Sequence, residues 1–369
     1  MNYIITGKNY TSPLIKSFAG QNGYKVLTEE ELIKSDITFT DQDKIYCPDE
    51  TTVPHLQPRM IPQRWHKLET VKNKFRCREI LRPLYPDFYF REVSINELEN
   101  ITLPQGKKFI IKPQKGFFGV GIREIDANSD LKKLAEEIRQ EIAANIQTFS
   151  PEVFTASDFI IEEFVQGEEY SFDLYYNDQG QPVFTNMCHH PQAKDPAYFH
   201  VLYYTSAQIY ERFYQQVHEI FTEFNRNLGL QNMPVHAEFK EQDGRLVPIE
   251  FNVPRFGGFG LADLPYYAFG ENPFLHFFQG TSPAWPEIFS ARKDKYYGWV
   301  LCYNGKNIDT SKYKPDYDKV KQDLGKVLFF DTLDYKNNPV FAVAYVELSS
   351  QAEIDKILSL DFDKYFVRG

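Results

Sequence analysis

Apolar positions along this chain recur with two rhythms, a period near two and a period near 3.6, which predict strands and helices in alternation. Tyr3-Ile-Ile-Thr-Gly and Lys25-Val-Leu read as short strands flanking Pro13 to Ala19, and Lys44-Ile-Tyr-Cys as another. They suggest a small α/β domain of the doubly wound kind. Leu68 to Leu84 reads as a helix ended by Pro83 and Pro86. Phe109-Ile-Ile is a buried-strand run, and apolar residues at 131, 134, 138 and 142 give Leu131 to Ile146 one buried helical face. Phe159-Ile-Ile-Glu-Glu-Phe-Val and Tyr170 to Tyr176 alternate as strands do, and Tyr210 to Leu228 is an amphipathic helix. His236 to Asn252 reads as a hairpin around Asp243-Gly244, and strands follow near Val327 and over Phe341-Ala-Val-Ala-Tyr-Val. There is no internal repeat and no low-complexity segment.

Composition narrows the classes. A chain of 369 residues, 42% hydrophobic and 25% charged, is long enough for two or three packed domains. No run approaches the roughly 20 apolar residues of a membrane helix, and Met1-Asn-Tyr-Ile-Ile-Thr-Gly reads as a strand and turn rather than a signal peptide. A soluble, cytoplasmic protein is expected, with no membrane partner. Cys47, Cys77, Cys188 and Cys302 form no C-x-x-C and lie far apart, the pattern of reduced thiols. With 41 basic residues against 51 acidic ones and no basic block, nucleic acid is not an expected partner.

The stretch KKFIIKPQKGFFGVGIREI, residues 107–125, raises the question of phosphate binding. A Walker A loop is absent, because Ile122 and Arg123 follow Gly121 where Lys and Ser or Thr are needed. A dinucleotide loop fails at Glu124, and the first strand of the chain is followed only by Gly7. What remains is a strand lysine, Lys112, and a glycine loop that returns into a second strand, Val120-Gly-Ile-Arg-Glu-Ile. Such a hairpin can fold its backbone N–H groups over a triphosphate while the lysine reaches a phosphate oxygen.

Two later segments supply partners. Around Ile160 to Ser171, Glu162 and Val165 stand at a strand end and Glu169 follows the Gly167 turn, so the backbone can meet an adenine edge and a carboxylate a ribose. On the His236 to Asn252 hairpin, Glu238, Glu250 and Asn252 alternate with apolar neighbours and can project from one face. Two carboxylates and an amide oxygen suit a Mg²⁺ that carries a nucleotide phosphate.

From about Lys74 to Pro273 the chain resembles the ATP-grasp superfamily, with its parts in the family's order. Asn73-Lys74 resembles the first nucleotide lysine and Lys112 the second, and Gly116, Gly119 and Gly121 lie in what looks like the mobile phosphate loop. Glu162, Glu163 and Val165 match the adenine linker, Glu169 the ribose carboxylate, and Glu238, Glu250 and Asn252 the metal triad. Arg255 looks like the arginine that meets the transferred phosphoryl group, although it stands three residues after the asparagine and many members have two.

The resemblance implies an ATP-grasp fold, with a small N-terminal α/β domain at 1–84, a mobile lid subdomain at 85–165, a metal-bearing subdomain at 166–283 and a C-terminal α+β extension at 284–369. It implies a carboxylate–amine ligase using ATP and Mg²⁺, or Mn²⁺ in its place. A small carboxylic acid, expected to be an amino acid, becomes an acyl phosphate and is joined to an amine, with Lys112 and Arg255 as the fixed positive charges. A homodimer is compatible with it. The rival readings are an enzyme of carboxyphosphate or kinase type on the same fold, and a nucleotide-binding module without turnover.

Plainer readings stand beside these. Lys72 offers a second helix lysine next to Lys74, and adjacent Glu162 and Glu163 point to opposite strand faces. His189 and His190 diverge in the same way and lack H-E-x-x-H, which disfavours zinc. The Met187 to Tyr204 stretch, with His190, Lys194 and His200, reads as a substrate-side loop, and the 16% aromatic content as core packing.

Overall fold

The computed structural model describes residues 1–116, 120–145 and 157–369. Gly119 of the glycine loop and Ile146 at the end of an expected helix lie outside the described residues.

The chain opens with β1 (Asn2–Thr6), α1 (Pro13–Lys16), β2 (Tyr24–Thr28), α2 (Glu29–Lys34) and β3 (Lys44–Tyr46), whose strands pair in parallel in the order β2-β1-β3. Parallel neighbours need crossovers, and the short α1 and α2 occupy them.

The expected helix from Leu68 to Leu84 is instead two, α3 (Pro62–Lys72) and α4 (Lys74–Leu81). Asn73 makes the break: its side chain accepts from Arg76 N at 2.9 Å, capping α4, and donates to Gln114 Oε1 at 2.8 Å. The break turns Lys74 toward the strand that bears Lys112, since Lys74 N donates to Gln114 O at 2.9 Å.

A four-stranded antiparallel sheet follows, built from β4 (Phe90–Ser94), β5 (Lys108–Pro113), β6 (Arg123–Asp126) and β7 (Asp158–Glu163) in the order β4-β7-β5-β6. The second hairpin strand begins at Arg123 rather than Val120, because Val120 and Gly121 are still in the turn and Gly121 has φ 73°. The sheet is covered by α5 (Leu131–Asn145), whose Ala135, Ile138 and Ile142 pack with Phe109, Ile111, Phe159 and Ile161. Burying each large side chain of this kind contributes about 1.5–3 kcal/mol.

The rest of the chain gives β8 (Glu168–Tyr176), β9 (Pro182–His190), β10 (Leu202–Ser206), α6 (Ala207–Leu228), β11 (Met233–Gln242), β12 (Arg245–Asn252), α7 (Leu264–Phe269), α8 (Pro273–Gln279) and α9 (Trp285–Ser290). It continues with β13 (Tyr296–Tyr303), β14 (Tyr313–Pro315), α10 (Tyr317–Leu324), β15 (Lys326–Thr332), β16 (Val340–Leu348), α11 (Gln351–Leu358) and β17 (Phe366–Arg368). One eight-stranded sheet runs β12-β11-β8-β9-β10-β13-β16-β15, so strands on both sides of residue 284 share it. The apolar face of α6, with Phe213, Val217, Phe221 and Phe224, packs into the core of that sheet, and Gly229 at φ 61° ends the helix. Of the stretch expected as a loop from Met187 to Tyr204, only residues 191–201 lie outside strands.

Candidate active site

Lys112 and Glu162 face each other diagonally across β5 and β7, where Lys112 is paired with Ile160 and Ile110 with Glu162. Lys112 Nζ lies 2.6 Å from Glu162 Oε1 and 3.0 Å from the Ile249 carbonyl of β12, while Arg78 Nε of α4 holds Glu162 Oε2 at 2.7 Å. Burial alone would raise the Glu162 carboxyl, but Arg78 and Lys112 outweigh it and hold it at about 2. Burial lowers Lys112, and the Glu162 charge opposes that shift. Glu162 thus spends its side chain on this sealed cluster, whereas Glu163 turns outward to Lys107, 3.0 Å away.

Lys74, the first residue of α4, reaches Glu250 Oε2 at 3.1 Å and the Gly116 carbonyl at 3.2 Å. Its neighbour Lys72 goes elsewhere, to Glu50 Oε2 at 2.5 Å.

The hairpin of β11 and β12 turns through Asp243 and Gly244, both at positive φ, as a two-residue turn requires. Its register sets Glu238 opposite Glu250 and His236 opposite Asn252, which puts all four on one face. His236 bridges Asp173 Oδ1 at 2.7 Å and Glu238 Oε1 at 3.3 Å. Burial works against the imidazolium, but Asp173 and Glu238 prevail and raise it to about 9. The end of the Asn252 amide that faces the carboxylates lies 3.2 Å from Glu250 Oε1 and 3.0 Å from Glu50 Oε1. A nitrogen there donates to both; an oxygen there makes an all-oxygen cluster that only a cation can hold together. The carboxylates of Glu238 and Glu250 stand opposite each other, and they are hard oxygen donors of the kind Mg²⁺ or Mn²⁺ takes, as the Asn252 amide oxygen would be with that amide turned. Among the described residues no group of three His, Cys, Asp or Glu is placed to hold a metal. That absence includes His189 and His190, which part to Glu168 and Tyr204 on one side and to Glu169 on the other.

Arg255 reaches the same centre despite its longer spacing, with Nε 2.9 Å from Glu50 Oε1. Glu50 thereby joins Lys72, Arg255 and Asn252, and the two cations, Lys72 and Arg255, overcome its burial to bring it to about 2. No local pattern marks Glu50, which starts a turn of 3₁₀ helix at Glu50–Arg59, nor Arg78 or Asp173, so the sequence reading missed all three.

Val165 follows β7 with neither backbone group engaged by another backbone group among the described residues. Gly167 then passes so close to the hairpin that a Cβ would meet the Glu241 carbonyl at 1.9 Å. Glu169 accepts from His190 Nδ1 at 2.8 Å and lines a cavity of about 750 Å³ together with Phe164, His190, Phe199 and Lys240.

Lys74 is thus matched by Glu250 itself, Lys112 by Glu162 while it also reaches the neighbouring Ile249 carbonyl, and Arg255 by Glu50, which faces the Asn252 amide, so each cation is matched by a carboxylate. An arriving anion can be received by exchange of these partners, without any cation being drawn from bulk water.

Residues 105–263 match the model of the ATP-grasp domain. L-amino acid ligase from Bacillus licheniformis superposes with a TM-score of 0.69 at 18% identity, over 100% of this chain and 98% of that one. Phosphoribosylamine–glycine ligase from Thermotoga maritima gives 0.63 at 13% identity over 100% and 97%, and a biotin carboxylase from Campylobacter jejuni 0.60 at 10% over 99% and 92%. At such identities the likeness is one of fold. No curated protein matches the sequence. No helix among the described residues is long and apolar enough to cross a membrane. The lysines, the opposed carboxylates and the hairpin lie inside or beside the span that matches the ATP-grasp domain model, and the chain as a whole has the ATP-grasp fold.

Proposed function

We propose that this protein is an ATP-dependent ligase that activates a small carboxylic acid as an acyl phosphate and joins it to an amine. The observation that carries this reading is the convergence of Lys74, Lys112 and Arg255 on the Glu238, Glu250 and Asn252 face, inside a fold shared over its full length with an L-amino acid ligase.

In this reading Lys112 and Lys74 meet the ATP phosphates, next to Gly116 and Gly121 of the glycine-rich stretch. The backbone around Glu162, Glu163 and Val165 receives the adenine and Glu169 the ribose. Glu238, Glu250 and Asn252 would hold a Mg²⁺ or Mn²⁺, which supplies charge neutralisation between the phosphates and the incoming carboxylate. With Glu250 so satisfied, Lys74 can exchange it for a phosphate oxygen. Arg255 stabilises charge at the transferring phosphoryl group. A carboxylate oxygen of the acid bonds to the γ-phosphorus as the bond to ADP breaks. The amine nitrogen then bonds to the acyl carbon as phosphate leaves, and the nitrogen loses its proton. No protein nucleophile is needed.

The test is ADP release with ATP, Mg²⁺, hydroxylamine and a panel of amino acids and small organic acids. One acid or a narrow group should give both ADP and a hydroxamate. A bicarbonate-dependent turnover or a phosphorylated alcohol would replace the reading with the carboxyphosphate or kinase alternative, and binding of ATP without turnover by any member would leave a nucleotide-binding module.

A further inference from the structure

Around the site Lys72 and Arg255 are matched by Glu50, Lys74 by Glu250, and Arg78 and Lys112 by Glu162. Lys240 on β11 is not matched. It is half-buried, and its ammonium makes no hydrogen bond or ion pair with any described residue. It rests over the Phe164 ring, 5.7 Å from the centroid, a weaker hold than a charge-assisted hydrogen bond to an anion. Glu169 stands directly opposite Lys240 in the register of β8 and β11, yet its carboxylate turns away to His190 Nδ1 at 2.8 Å.

The place of this cation along β11 is set by the sheet. β11 runs beside β8 without a register shift from Met233 to Glu241, so Glu238, Lys240 and Gln242 point to one face, with about 7 Å between successive members. Each marks a level. Gln242 Oε1 accepts from Gln166 N at 3.3 Å, beside Val165. Lys240 is level with Glu169, and Glu238 is opposite Glu250. Lys240, Phe164, Glu169 and His190 line one cavity of about 750 Å³, and Lys240 is the sole lysine or arginine among the described residues that line it.

We propose that Lys240 binds the α-phosphate of the nucleotide. The proposal rests on the nucleotide reading of the site, with the ribose at Glu169 and the terminal phosphates at the face of Glu238 and Glu250. A triphosphate laid between those levels carries its α-phosphate along the single step of β11 that separates Lys240 from Glu238. Lys240 holds the uncommitted positive charge on that step, and its ammonium leaves the Phe164 ring for a phosphate oxygen. Lys74 and Lys112 stand at the other end, on Glu250 and the Ile249 carbonyl, where the outer phosphates lie. The α-phosphate keeps its charge throughout the transfer of the γ-phosphoryl group, so this contact adds equally to ground state and transition state.

The test displaces a fluorescent ATP analogue, in Mg²⁺ buffer, with adenosine, AMP, ADP and a non-hydrolysable ATP analogue, a format that reads weak ligands as well as tight ones. Lys240→Met keeps an unbranched apolar stem and removes the charge; Lys240→Gln makes the same comparison with a polar end. Each should weaken AMP, ADP and the ATP analogue by a common factor of about tenfold or more and leave adenosine unchanged, and Lys240→Arg should restore most of the loss. No ion pair is broken, so the melting temperature should hold. In turnover Lys240→Met should raise KM for ATP and leave kcat unchanged, a split that a merely structural defect would not produce. Unchanged affinities in the charge-removing variants overturn the proposal and leave the nucleotide reading intact. So does a loss shared by adenosine, which assigns Lys240 to the ribose or base, and so does a loss for ADP and the ATP analogue that spares AMP, which assigns it to the β-phosphate. Wild-type protein that binds neither the fluorescent analogue nor any of the four ligands overturns the nucleotide reading and the proposal with it.

Discussion

Lys112 and Glu162 form an ion pair sealed from solvent, with Nζ 2.6 Å from Oε1 and side chains 4% and 2% exposed. Lys112 is thereby held at the site with its charge answered on one side and the Ile249 carbonyl on the other. Replacing it tests its role as a phosphate contact. Lys112→Ala should weaken binding of ATP by about 1.5–3 kcal/mol, the range for a hydrogen bond to a charged group. Calorimetry with a non-hydrolysable analogue reads this, and an unchanged affinity removes Lys112 from the nucleotide site.

The other half of the pair governs stability. Glu162→Gln leaves Arg78 and Lys112 buried without their carboxylate, and the loss should be about 3–5 kcal/mol in urea unfolding. The pH dependence has a definite sign. The folded carboxyl is lowered from 4.5 to about 2, so its contribution is present above pH 4.5 and lost as pH falls toward 2. Wild-type stability should fall more steeply than that of Glu162→Gln across this window. Parallel curves would mean that Glu162 is not ionised in the folded protein.

Lys74 and Glu250 are partners at 3.1 Å, and in the proposed function Glu250 exchanges this partner for a metal ion. Three protein ligands leave the rest of an octahedron to phosphate and water, so Mg²⁺ should bind tightly only together with nucleotide. Titration calorimetry should show weak Mg²⁺ binding alone and strong binding with ATP analogue, and removal of the metal with a chelator should abolish turnover. Tight metal binding without nucleotide, or normal turnover by Glu250→Gln, would contradict the triad.

Glu50 fixes Arg255 and Asn252 from a segment remote in sequence, which makes it a positioning residue. Arg255→Ala should lower kcat more than it raises KM for ATP, because in the proposed reaction its charge is needed as phosphate transfers. Glu50→Gln should lower kcat in the same direction but less, since its amide can still accept from Arg255 while losing the charge. A change confined to the KM of the amine in Arg255→Ala would assign the arginine to the acceptor pocket.

What the sequence made legible was local. Alternation and the Asp243-Gly244 turn put Glu238, Glu250 and Asn252 on one face, and the register of β11 and β12 agrees. The helix break at Asn73 escaped because Asn73 is stabilised by Gln114, 41 residues away. Glu50 lies 205 residues from Arg255 and 22 from Lys72, Arg78 lies 84 from Glu162, and Asp173 lies 63 from His236. Charge pairing at that separation is created by the fold, and no spacing rule encodes it. The extent of the large sheet was hidden for the same reason: β10 meets β13 across residues 202–206 and 296–300, with a helix, a hairpin and three short helices between them.

The central claim is that a carboxylate oxygen attacks the γ-phosphorus of ATP on the face made by Glu238, Glu250, Asn252, Lys112 and Arg255. The most direct measurement labels the carboxylate of the acid that supports ADP release with heavy oxygen and follows the label into inorganic phosphate. One labelled oxygen should appear in each phosphate released, because the oxygen that bonds to phosphorus stays with it when the amine displaces it. Acid-dependent ADP release with no label in the phosphate would contradict an acyl phosphate and with it the ligase mechanism.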